Sequence, residues 1–96
     1  MSSLYTIIAE HRGGTYCCQV QASDEVQALK HWADHCADDP ELLAAFTPQG
    51  IRVLQQADWD DLDRPTPLRG LVNMWCASIS FSQALCLINV VRTASV

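Results

Sequence analysis

Glu10–Cys18, EHRGGTYCC, puts a histidine, an arginine, a glycine pair and two adjacent cysteines into one short stretch. Residues of these types could cradle a phosphate, bind a soft metal or run thiol chemistry. A phosphate-binding loop needs further glycines, a lysine and a following helix, and the stretch has none of them. Neighbouring side chains on a strand point to opposite faces of a sheet, so Cys17 and Cys18 cannot converge on one metal. A disulfide between them would strain the backbone. Cys18 therefore reads as a small core hydrophobe and Cys17 as its more exposed neighbour. His11 and Arg12 read as decoration on a turn.

His31 and His35 are spaced to put two imidazoles on one helix face, as metal sites do, with Asp34 and Asp38 nearby. No glutamate follows His31, so the two-histidine protease motif is absent. The pair reads as solvated surface histidines; no metal site is assigned, and His31 and His35 are only weak candidates for one. A cysteine–histidine nucleophile would need a low-pKa thiol within reach of a base. Cys36 follows His35 directly but points about 100° away around a helix. Pairings of His11 with Cys76 or Cys86 across the fold stay open. The run DWDDLD offers Asp58, Asp60, Asp61 and Asp63 to a hard cation, but lacks the glycine and terminal glutamate of a calcium-binding loop. Trp59 and Leu62 interleave with these acids, the alternation found in segments that contact basic protein surfaces. Asp58, Trp59, Asp60, Asp61, Leu62 and Asp63 are thus the candidate partner-binding residues. The plainer alternative is a solvated loop with Trp59 folded back on the core.

These groups must be held by the elements around them. Leu4–Glu10 and Thr15–Gln21 are β-branched and aromatic runs separated by Gly13-Gly14, which predicts a hairpin. In the second run Tyr16, Cys18 and Val20 share an apolar face, and Thr15, Cys17, Gln19 and Gln21 a mostly polar one. From Ser23 the period changes to that of a helix. Asp24 with Gln27 resembles a capping box, and Val26, Leu29, Ala33, Cys36 and Ala37 form one apolar face with Trp32 at its margin. Asp39-Pro40 caps a second, short helix over Pro40–Phe46 that ends before Thr47-Pro48-Gln49-Gly50. Ile51–Gln55 reads as a short strand, and ADWDDLDRPTPLRG as a solvated loop. Leu71–Phe81 and Leu85–Thr93 read as two strands joined near Ser82-Gln83. The expected fold is α+β: one domain, element order ββααβββ, an antiparallel sheet of about five strands with helices on one face.

Charge narrows the function classes. Ala22–Asp63 carries ten acids against Lys30 and Arg52, a net −8 within a chain of net −5. Such a face repels nucleic acid and attracts basic partners, so a protein partner is expected and nucleic acid is not. Apolar residues at 49% against 18% charged leave either a dense core or apolar surface for a partner, including a second copy. Five cysteines, an odd number, and no basic, apolar leader predict free thiols in a cytoplasmic setting. The longest unbroken apolar run of the C-terminal third, Ala84–Ile88, is far too short to span a bilayer.

The strand, Gly-Gly turn, strand and SDEVQALKHW helix of Tyr5–Trp32 resemble the start of HicB-type antitoxin domains, although the further strand of that family between hairpin and helix is absent. The NMWCASISFSQALCLINVVRT ending resembles the closing strands of small bacterial proteins, immunity proteins of toxin systems among them. Neither resemblance supplies a catalytic or binding residue. The expectation is a non-enzymatic acidic protein-binding module, an inhibitor or immunity-like protein, with no cofactor and no catalytic residue assigned. A homodimeric small-ligand binder and a Cys/His thiol enzyme are the alternatives.

Overall fold

A computed structural model describes residues Ser2–Thr93. Arg12 (φ 51°) and Gly13 (φ 84°) make a tight turn between β1 (Ser3–His11) and β2 (Gly14–Ala22), which pair antiparallel from Ser3↔Ala22 to His11↔Gly14. Positive φ at both turn residues matches the right-handed twist of the strands. The same device recurs at Ser82 (φ 52°) and Gln83 (φ 60°), between β4 (Met74–Phe81) and β5 (Ala84–Arg92). Arg12 Nη1 donates to Ser82 O at 3.1 Å and ties the two turns together. At Gly14, the first residue of β2, a Cβ would collide with the Tyr16 ring.

The helices α1 (Glu25–Asp38) and α2 (Pro40–Gln56) lie between the hairpins in sequence. Asp24 caps α1, its carboxylate accepting from Gln27 N at 2.8 Å. Asp39 caps α2, accepting from Glu41 N at 2.9 Å, and Pro40 fills the first turn where its missing N–H costs nothing. The expected end at Thr47 is a break inside α2 rather than a stop. Thr47 sits at φ 67°, ψ 157°, and its Oγ1 accepts from Gly50 N at 3.3 Å. Thr47-Pro48 thus repeats the cap-then-proline device of Asp39-Pro40 and restarts the helix. Ile51–Gln55, expected as a strand, is consequently helical, with Ile51 and Leu54 buried. The remaining strand is β3 (Thr66–Pro67), two residues pairing with Cys76 and Trp75 at the edge of β4.

The five strands form one sheet in the order β2-β1-β5-β4-β3, every paired neighbour antiparallel, so the α+β fold and the ββααβββ order hold. Both helices pack on one face. Strand alternation sends Tyr5, Ile7, Ala9, Cys86, Ile88, Val90, Ala77 and Phe81 into the core beneath them. Trp32, expected at the margin of the α1 stripe, is at its centre and 1% exposed, whereas Ala37 is exposed. The apolar stripe is turned by the bulk of the indole, which buries more area than an alanine can. Phe46, at the break in α2, is the hub of the aromatic core. It meets His11, Tyr16, Trp32 and Phe81 edge-on at centroid distances of 5.2–6.2 Å.

Candidate functional site

After α2 the chain runs from Ala57 to Asn73 with only the two residues of β3 as regular structure. Connections of this length in a small domain are uncommon and are usually functional. Its first half is a built loop. Asp63 N donates to Asp58 O at 2.8 Å, Asp61 N to the same oxygen at 3.1 Å, and Asp58 N to the Asp63 carboxylate at 2.8 Å. Asp60 leaves the loop to meet Lys30 Nζ of α1 at 2.6 Å. Two of the four aspartates are therefore spent in holding the loop, and Asp58 and Asp61 are left facing solvent with free carboxylates.

Trp59 is not the exposed anchor proposed from the alternation with acids. The winding of the loop carries position 59 inward and position 62 outward. Trp59 is 1% exposed, its Nε1 donating to Leu54 O at 3.1 Å near the end of α2, while Leu62 is 86% exposed. An indole can be buried there because its one donor is satisfied. Of the six residues singled out, Asp58, Asp61 and Leu62 face outward, Asp60 is exposed on Lys30, Asp63 closes the loop and Trp59 is buried. Leu71 and Val72, at the far end of the same connection, are also exposed. In the sequence they read as the start of the next strand, which begins only at Met74. A shallow depression of about 390 Å³ lies beside Leu62, walled by Asp63, Arg64, Thr66, Leu68 and Cys76.

The acidic segment Ala22–Asp63 forms the helix layer and this loop, so the net −8 is gathered on one side of the sheet. Surface contacts stitch that layer together: Gln55 Nε2 donates to Asp34 Oδ1 at 3.4 Å, and His35 Nε2 stands 3.7 Å from Asp39 Oδ2. His31 turns the other way, its Nδ1 donating to Gln21 O of β2 at 2.9 Å. The two weak metal candidates are therefore engaged by different partners rather than converging on one point. Among the described residues no three His, Cys, Asp or Glu side chains group as a cation site would require.

The cysteines are free thiols. Cys17 and Cys18 diverge across the sheet as alternation demands, Cys17 exposed and Cys18 turned toward the helices. Burial pushes the Cys18 thiol up to about 11, and Cys36 and Cys86 up to about 12, so these three stay protonated at neutral pH. His11 stands opposite Cys86 across the β1–β5 pair, the one His–Cys pairing that strand register makes. It offers no activated nucleophile, since the buried thiol is held in its unreactive form.

His11 itself does not decorate the turn. It is 3% exposed, stacked on Phe81 at 4.2 Å, with Phe46 edge-on at 5.7 Å. Strand parity explains this, since His11 continues the inward set Tyr5, Ile7, Ala9. Neither ring nitrogen has a hydrogen-bond partner in the protein. Each unpaired buried polar group costs about 1–3 kcal/mol, so His11→Phe, which keeps an aromatic ring on Phe81, is expected to raise stability by about 1–2 kcal/mol. A urea titration checks this: the midpoint should rise, and a lowered midpoint would mean that the imidazole contributes a favourable polar contact. Among the described residues no helix is long and apolar enough to cross a membrane. Comparison of the chain with protein-family models, with curated proteins and with solved structures finds no match.

Proposed function

We propose that the chain is a non-enzymatic protein-binding module that docks onto a basic partner through its acidic helix layer and the Ala57–Asn73 connection. One observation carries this reading: a pre-organised loop, closed by Asp63 on Asp58 and pinned by Trp59 and by Asp60–Lys30, presents Leu62 at 86% exposure beside Asp61, whose carboxylate, like that of Asp58, is free. Holding an apolar side chain in water on a rigid loop has no value to the monomer. It does reduce the ordering cost of binding. Leu62 is the apolar anchor, Asp58 and Asp61 the charged rim, and the −8 layer steers the encounter. An inhibitor or immunity-like role is the form of this reading that fits both the charge and the resemblance of the closing strands. The pushed-up thiols of Cys18, Cys36 and Cys86 weigh against a thiol enzyme built on any of those three.

The test is affinity capture from lysate of the source cells. The wild-type chain is compared with a variant combining Asp58→Ala, Asp61→Ala and Leu62→Ala, which spares Asp60, Asp63 and Trp59. A basic protein retained by the wild type should fall at least about tenfold with the variant, because a desolvated anchor is worth about 2 kcal/mol or more. Equal retention by both would defeat the reading.

A further inference from the structure

The sheet has helices on one face only, and its other face carries an apolar stripe among polar side chains. Strand alternation places Leu4, Ile8, Met74, Leu87 and Val91 on that face, all half-buried, together with Leu85 at 57% exposure. The register pairs Val91 with Met74 and sets Ile8 diagonal to Val91 and Leu87, while the residues directly opposite are polar: Thr6 for Val91, Asn89 for Ile8 and Glu10 for Leu87. Outward-facing apolar residues thus run diagonally along β1 and β5 (Leu4, Val91, Ile8, Leu87), interleaved with Thr6, Glu10 and Asn89. A sheet wetted on one side alternates cleanly, and this apolar stripe departs from that pattern.

We infer that a second copy of this chain covers the open face, the two sheets packing face to face about a two-fold axis with the helix layers outermost. Charge selects this occupant. Glu10 is the only ionised side chain that β1, β2, β4 and β5 present on the open face. Glu10 alone gives a basic partner little to recognise there, whereas the apolar stripe can meet its own copy across a two-fold axis. The repulsive part of the molecule is the −8 helix layer, and face-to-face packing points the two layers away from each other. Packed sheets stand about 10 Å apart, which puts the two helix layers roughly 30 Å apart, several times the screening length of about 8 Å at physiological salt. Area is sufficient as well. Four long strands of about 30 Å at spacings of about 4.8 Å offer a face whose mutual burial is on the order of 1,200 Å², above the roughly 1,000 Å² of a specific interface. Leu62, Asp63 and Arg64 border this face only at its β4 edge, where they share the depression with Cys76 and Ser78; the apolar stripe lies on β1 and β5, so dimerisation and partner capture are tested separately.

The experiment is the solution mass of the full chain at micromolar concentration by sedimentation equilibrium, with Ile8→Glu and Leu85→Lys as variants. Ile8 lies on the inner strand β1 and points away from the core, and Leu85 is exposed at the far end of the face. The wild type should have the dimer mass. Each variant puts an unpaired charge into the face that the dimer would bury and should weaken the dimer at least about a hundredfold, with circular dichroism unchanged. Should Ile8→Glu fail to fold, Leu85→Lys decides alone. A monomeric wild type overturns the inference. So does a dimer that survives both substitutions, since pairing through the β2 edge would leave these side chains free. The Asp58, Asp61 and Leu62 variant should keep the dimer mass while losing its partner.

Discussion

Trp59→Ala should destabilise the protein by about 3–5 kcal/mol, the range for removing a fully buried large aromatic side chain. The indole is 1% exposed and fills the space where the loop meets the end of α2. Its removal leaves a cavity and also strips Leu54 O of its donor, so transfer, cavity and hydrogen-bond losses act together. Leu62→Ala, three residues away, should change stability by less than about 0.5 kcal/mol, because Leu62 is 86% exposed. Urea titrations of the two variants measure the difference directly. A cost under about 1 kcal/mol for Trp59→Ala would mean that Trp59 is free to serve as the partner anchor after all, and the division of labour within the loop would be wrong.

Phe46→Ala should cost a similar amount, about 3–5 kcal/mol. The ring has no exposure and makes edge-on contacts with four other aromatic rings, His11, Tyr16, Trp32 and Phe81. Such pairs add about 0.5–1.5 kcal/mol each beyond the area they bury. The loss should be felt on both hairpins, because Tyr16 belongs to β2, His11 to β1 and Phe81 to β4. Phe46→Leu should recover part of it by refilling volume without restoring the ring geometry. Thermal unfolding followed by circular dichroism checks the order wild type, Leu, Ala. If Ala and Leu are equally destabilised, the aromatic geometry rather than filled volume carries the contribution. If both are near wild type, Phe46 is not the hub of the core.

Most of the fold was legible because its signals are local. Gly13 and the Ser82-Gln83 pair mark two tight turns, Asp24 and Asp39-Pro40 mark helix starts, and period-2 alternation assigns the strand faces. What misled the reading of Ile51–Gln55 is that five apolar and polar residues cannot declare a period. The deciding signal was upstream, in Thr47-Pro48 and the hydroxyl that caps Gly50 N. β3 was hidden for the opposite reason: Thr66-Pro67 has no strand composition and is a strand only because β4 lends it a partner.

The site was legible in charge and not in geometry. Asp58–Asp63 stood out by composition, but which of its apolar residues faces water depends on how Asp63 folds back on Asp58, a contact within the loop that no period encodes. His11 shows the same limit in reverse. Its polarity suggested exposure beside a turn, while strand parity had already committed it to the inner face with Ile7 and Ala9. Ile8, Leu87 and Val91 have core composition, and only the placement of both helices on the other side of the sheet leaves them uncovered.

The central claim is that a basic partner contacts the tip of the acidic loop. A photocrosslinking amino acid in place of Leu62, with the same residue in place of Gln83 in the distant β4–β5 turn as the control, tests it in the cells that make the protein. The account predicts a covalent adduct with a different, basic protein from position 62 and none from position 83. Adducts from both positions alike, or none from position 62, would contradict it.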